Sequence, residues 1–191
     1  IEVNTAMICG GTITLFFEYV NTVPSIVLMG GGHIGKALYY YLKPIGFNIT
    51  IVDSRDEIIS FYDKDTNTIC SNYEKVMDDF PEISNASYYI IAAHSHELDA
   101  ICLREILLKS KSPEYIAMVA SSNKAKIIKE NINKYCIENN IPIPDMKNLY
   151  SPAGLNIGGR TPEEIAVSII AQLQTVRYSV NQLMHKQDEK K

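Results

Sequence analysis

Three glycines at G-x-G-x-x-G spacing, Gly30, Gly32 and Gly35, follow the apolar run Ser25-Ile26-Val27-Leu28-Met29, and a second apolar run ends at Asp53. That spacing suits a phosphate-cradling turn. The first glycine allows a tight turn, the second lets a pyrophosphate approach the backbone, and the third packs helix against strand. His33, inside the turn, either contacts a phosphate or faces solvent at a position that tolerates most side chains. Asp53 stands where a carboxylate accepts both ribose hydroxyls and repels a 2′-phosphate, so NAD or another nucleotide with an unphosphorylated adenosine end is a candidate ligand.

Three further segments carry reactive side chains. Ala93-His94-Ser95-His96-Glu97-Leu98-Asp99 begins at a strand end and can bring two imidazoles and a carboxylate to one point, as a metal would require. The plainer alternative has one histidine capping a helix or lining a pocket wall and the other in water. Ser121-Ser122-Asn123-Lys124 opens a helix after a strand, which suits a second anion site and equally suits ordinary serine capping with Lys124 facing water. Ser151 to Arg160 is long and glycine-rich, with Gly154, Gly158 and the cation Arg160, as expected of a loop that folds over an anionic ligand. Cys9, beside Gly10 and Gly11, is either an exposed thiol able to ligate a soft metal or accept sulfur, or an inert small hydrophobe in a strand. There is no Ser-His-Asp ordering, catalytic carboxylate pair or Walker lysine.

The elements that must position these groups alternate. Ala6 to Val20 holds two apolar runs split by Gly10-Gly11, the pattern of a hairpin. Lys36 to Leu42 predicts a helix with Gly46 as its cap, and Phe47 to Asp53 a buried strand. A strand at Thr68 to Cys70, a helix near Tyr73 to Asp79 and a strand at Tyr88 to Ala93 come next. A helix from Glu97 to Leu108, a strand at Tyr115 to Val119 and an amphipathic helix from Asn123 to Glu138 follow. Consecutive Tyr39, Tyr40 and Tyr41 cannot share one helix face and divide between core and surface. After the loop Ile141-Pro142-Ile143-Pro144, a short strand at Leu149-Tyr150 leads to Thr161-Pro162-Glu163-Glu164. That sequence is a capping box with proline at the first helical position, and it starts a helix running to about Met184. The whole is a Rossmann-like α/β fold, a doubly wound, mostly parallel sheet with an N-terminal hairpin and a long C-terminal helix. Residues 1–23 form the hairpin segment, 24–184 the Rossmann-like domain and 185–191 a frayed tail. Beyond the carboxyl ends of the strands, the glycine turn, Ala93 to Asp99, Ala120 to Lys124 and Ser151 to Arg160 are expected to converge.

The totals agree with one domain: 191 residues, 46% hydrophobic and 21% charged, enough for a sizeable core. A net charge of −4 leaves no basic footprint for nucleic acid or an anionic membrane surface. No apolar run approaches the roughly 18 residues of a membrane span, and no signal-type segment opens the chain, so a cytoplasmic protein is expected. The chain opens at Ile1, which an absent upstream piece or trimming would explain. The four cysteines are far apart, without zinc spacing, and reduced thiols are expected.

Taken together, Met7-Ile8-Cys9-Gly10-Gly11 with Phe17-Glu18, the glycine turn, Val52-Asp53-Ser54-Arg55, His94 to Asp99, and Ser151 to Leu173 resemble one family. It is the XdhC/CoxI accessory proteins of molybdenum hydroxylases such as xanthine dehydrogenase. Ser-Pro-x-Gly-Leu-x-Ile-Gly followed by Thr-Pro-Glu-Glu-Ile-Ala-Val-Ser-Ile is the most specific part of the match. The resemblance implies a cytoplasmic chaperone, not a turnover enzyme. Such a protein binds molybdenum cofactor (molybdopterin), supports exchange of an oxo for a sulfido ligand by a cysteine desulfurase, and passes the cofactor to the apo-hydroxylase. It adds Arg55 to the binding residues, gives Cys9 a possible molybdenum contact, and suggests a homodimer. It also implies a short form lacking most of the family's N-terminal domain. The family's usual threonine is Ala93 here, its glycine is Ala120, and its basic residues after that serine are Ser122 and Asn123. Fewer donors imply weaker anion binding or a changed ligand.

Two other readings compete with this one. An NAD-dependent oxidoreductase would use His94 or His96 as proton donor, and a degenerate Rossmann module would serve only as an interaction surface.

Overall fold

Ile26, Val27, Leu28 and Met29 are all buried in the first strand, β1 (Ser25–Met29). A central strand of a parallel sheet is covered on both faces, so a continuous apolar run replaces alternation. The structure is a computed structural model that describes residues 23–178. Cys9, the hairpin expected over Ala6 to Val20, the end of the final helix and the tail lie outside the described residues.

Chain order after β1 is α1 (His33–Leu42), β2 (Asn48–Asp53), α2 (Asp56–Ile59), β3 (Asn67–Cys70), α3 (Val76–Asp79) and β4 (Tyr88–Ile91). Then come α4 (His96–Lys109), β5 (Tyr115–Met118), α5 (Ser122–Glu138), β6 (Leu149–Tyr150) and α6 (Pro162–Arg177). The six strands lie in the order β3-β2-β1-β4-β5-β6, every pairing parallel. The order reverses between β1 and β4, which leaves a crevice at their carboxyl ends.

Side chains alternate across the pleat. Val27 and Met29 join the cluster under α4 and α5, with Leu103, Ile106, Ile128 and Ile132. Ile26 and Leu28 join the opposite cluster, with Leu38 and Leu42 of α1 and Ile169 and Leu173 of α6. Of the three consecutive tyrosines, Tyr40 is exposed while Tyr39 and Tyr41 pack against that second cluster.

Several boundaries differ from expectation. The first helix begins at His33, three residues early, because Gly32 in extended conformation acts as its N-cap. A 3₁₀ turn (Lys43–Ile45) carries its end to Gly46, which takes the left-handed conformation expected of it. The helix expected over Tyr73 to Asp79 shortens at its start, because residues 73–75 form a turn in which Lys75 N donates to Asn72 O, and α3 begins only at Val76. The α2 turn, too short to show a period, escapes sequence reading altogether.

Candidate functional site

The glycine turn is built by three glycines with different reasons to be glycine. Gly30 has φ +119°, and a Cβ there would collide with the Ala92 carbonyl beyond β4. A Cβ at Gly35 would strike the Gly30 carbonyl, so α1 reaches the turn only without one. Gly32 is under no such constraint. An added Cβ would meet only Arg55 Nη2, at 3.8 Å, an ordinary contact. Nothing in the packing of the described residues demands glycine there, whereas a ligand lying close to the backbone would.

The end of α1 matches that geometry. It has no side-chain cap and no acidic residue in its first turn, while Ser95, Ser121 and Thr161 cap α4, α5 and α6. Its first amides and the positive end of its dipole are left uncompensated by side chains.

Asp53, at the end of β2, is fully buried. Its Oδ1 accepts from Arg55 N at 3.1 Å and Arg55 Nε at 2.8 Å, and its Oδ2 from Gly31 N and Arg55 Nη2, both at 2.9 Å. Burial pushes this carboxyl up, but the hydrogen bonds from Arg55 and Gly31 together outweigh it and hold the group below its ordinary range. Each oxygen already accepts two hydrogen bonds, so the carboxylate expected to take ribose hydroxyls instead ties the turn to Arg55. Tyr62 secures the same turn from behind, its hydroxyl donating to Gly31 O at 2.8 Å. Burial, and then the Asp53 charge, push that phenol up to about 12, so it stays a neutral donor.

Beside the turn lies a cavity of about 260 Å³ lined by Gly31, Gly32, His33, Lys36, Arg55, Ile58 and Phe61. Lys36 Nζ sits 5.4 Å from the centre of the exposed Phe61 ring.

The other expected segments gather elsewhere. A cavity of about 920 Å³ is lined by His96 and Glu97 of α4, Lys124 of α5 with its N-cap Ser121, and Pro152, Ala153, Leu155, Asn156, Gly158 and Gly159 of the long loop, and it shares no lining residue with the first. Convergence of all four segments on one ligand is therefore not what the fold builds. Lys124, expected either at an anion or in water, turns inward, its Nζ 2.6 Å from Asp99 Oδ2. Asp99 Oδ1 also accepts from Ala93 N at 2.9 Å. Burial raises the Asp99 carboxyl, and Lys124 only partly offsets it. Ser121 caps α5 through Lys124 N, as ordinary capping predicts.

His94 lines neither cavity. Among the described residues, no three or more His, Cys, Asp or Glu are placed to hold a metal ion. The expected grouping of His94 and His96 with a carboxylate of the same segment is thus not formed among the described residues, and one of its two carboxylates, Asp99, is held inside by Lys124. Gly154 has φ +94° and packs on Ser168 of α6, and its backbone is bracketed by Gln172. Gly158 lines the larger cavity, while Arg160 is exposed, lines neither, and gives its N–H to Glu164. Lys36, Phe61, Tyr62 and Gln172 carry no local sequence signal. Their partners stand far off in the chain, as with Tyr62 and Gly31, 31 positions apart, and only folding brings them together.

Residues 26–173 match the family described as the XdhC Rossmann domain. The uncharacterized protein YqeB of Escherichia coli is 23% identical over 171 residues, covering 88% of this chain and 30% of that protein. A Bacillus subtilis relative, named as a probable subunit of xanthine dehydrogenase, is 26% identical over 171 residues, covering 88% and 48%. The chain thus spans half or less of the length of these relatives. A solved structure named as a xanthine dehydrogenase from Bacillus halodurans superposes with a TM-score of 0.68 at 26% identity, over 83% of this chain and 44% of that one. A Bacteroides thetaiotaomicron structure superposes with a TM-score of 0.51 at 16% identity, over 80% and 92%, a likeness of fold alone.

Proposed function

The chain belongs to the XdhC family, matched over residues 26–173, and from that membership we propose that it is an accessory protein of a xanthine dehydrogenase-type molybdenum hydroxylase. It binds molybdenum cofactor, supports its sulfuration with a cysteine desulfurase, and supports its insertion into the hydroxylase. The observation that carries the reading is Gly32, whose missing side chain leaves room beside uncapped helix amides and Arg55.

The residues present fit the cofactor's anionic end. Gly32 lets a phosphate reach the backbone, the first turn of α1 offers amides, and Arg55, Lys36 and His33 surround it with donors. Asp53 keeps Arg55 in place through a two-point contact, and Tyr62 keeps the turn closed. When bound, the cofactor supplies a pterin and the molybdenum that the client hydroxylase uses. Cys9 remains the proposed thiol toward molybdenum. The saturated oxygens of Asp53 speak against an NAD-dependent oxidoreductase, since they leave no acceptor for a ribose diol.

The test is an anaerobic titration of the full chain with isolated molybdenum cofactor and, separately, with NAD. The expected result is saturable cofactor binding, lost in Cys9→Ala and weakened about tenfold or more in Gly32→Ala, with the Gly32 variant melting like the wild type. Saturable NAD binding with no retention of cofactor would send the assignment to hydride transfer instead.

A further inference from the structure

We propose that the glycine-turn cavity selects a terminal phosphomonoester over both a ribose diol and a phosphodiester. The proposal rests on reading this turn as the anion end of the site, and it names the chemical form of ligand that end takes.

A nucleotide pocket that favours a diol needs a carboxylate with free lone pairs. Here Asp53 is buried and each of its oxygens already accepts two hydrogen bonds. Among the described residues no carboxylate lines the cavity, Asp53 lying behind Arg55 and Gly31. Asp56 and Glu57 follow Arg55 at the start of α2 but are exposed and outside the lining.

The positive groups are arranged the other way. A guanidinium has five N–H groups, and Arg55 directs its Nε and one Nη2 hydrogen at Asp53, which leaves three for a ligand. Nη2 itself stands 3.8 Å from the Cβ position of Gly32, over the spot where the backbone is barest. Lys36 has no carboxylate partner among the described residues and rests its ammonium over Phe61, an exposed contact that a phosphate readily displaces. His33 adds a third donor at the start of α1. A monoester dianion presents three oxygens and two charges to this set, a diester two free oxygens and one charge, and a diol two neutral hydroxyls with no charge.

Such a phosphate is carried by a nucleotide ribose or by the side chain of a pterin, and two matched ligand pairs separate these sources. Calorimetry on the full chain at fixed salt compares NADP with NAD, and molybdenum cofactor bearing its free phosphate with its dinucleotide form. In at least one pair the monoester form is expected to bind about tenfold tighter, with the ratio falling toward unity in Lys36→Gln and Arg55→Gln. Should Arg55→Gln fail to fold, Lys36→Gln and His33→Gln leave the Asp53 contacts intact and carry the same comparison. The discriminating pair identifies the source. Equal affinities within both pairs, a preference that persists undiminished in the variants, or no binding by any of the four ligands would overturn the proposal. The accessory reading fails separately. If both cofactor forms bind tightly and equally while NADP and NAD do not differ, the accessory role stands and this selectivity falls. If NADP is preferred and neither cofactor form binds, the selectivity stands and the accessory role falls.

Discussion

Asp53 shows how one side chain can change role without moving in the sequence. Its position at the end of β2 is that of a ribose acceptor, yet Arg55, only two residues on, closes a fork on it and makes it a structural anion. The consequence is measurable through pH. Because the folded carboxyl titrates below its ordinary value of 3.8, its contribution to stability is present above about pH 4 and is lost as pH falls through the lower folded value. Asp53→Asn is expected to lower stability by about 2 kcal/mol at neutral pH. The gap from wild type should narrow on acidification below about pH 4, read by chemical denaturation across a pH series. A gap that stays constant with pH would mean that the charge is not what holds the turn. Asp99 has the opposite sign: burial raises it despite Lys124, so its stability contribution is present below about pH 4 and is lost as pH rises through its folded value.

At the scale of elements, α6 does more than cover the sheet. Its N-terminus carries the capping box read from Thr161 and Glu164, with Glu164 Oε2 accepting from Thr161 N at 3.0 Å. Further along, Gln172 Oε1 accepts from Tyr115 OH at 2.8 Å and Gly154 N at 3.0 Å, while its Nε2 donates to Gly154 O at 3.2 Å. One helix side chain thereby ties the long loop to β5. Gln172→Leu preserves bulk but strands a buried tyrosine hydroxyl and both backbone groups of Gly154, and is expected to cost about 1–3 kcal/mol. Hydrogen exchange at Gly154 and Leu155 should accelerate in that variant beyond what the global loss explains. Unchanged relative protection there would show that the loop is held by other contacts.

Across the molecule, the two faces of one sheet are packed by separate helix sets, Leu103 of α4 and Leu38 of α1 both fully buried. Because the central strands β1, β4 and β5 contribute side chains to both faces, the layers should unfold as one unit. Leu103→Ala and Leu38→Ala are each expected to cost about 2–5 kcal/mol and to leave a single calorimetric transition, whereas two resolved transitions would mean that the faces fold independently. No helix among the described residues is long and apolar enough to cross a membrane. The alternation of strands and helices, the glycine turn and the capped final helix were legible in the chain because each depends on neighbours within a few residues: apolar runs, glycine spacing, a Thr-x-x-Glu box. Family membership was legible for the same reason, as an ordered string of local motifs. Side-chain allegiances were not. Whether Asp53 faces a ligand or Arg55, whether Lys124 meets water or Asp99, and whether four loops form one pocket or two depend on atoms brought together from distant parts of the chain. Packing, charge pairing and desolvation settle those choices only once the sheet has closed, so the tertiary structure alone decided them.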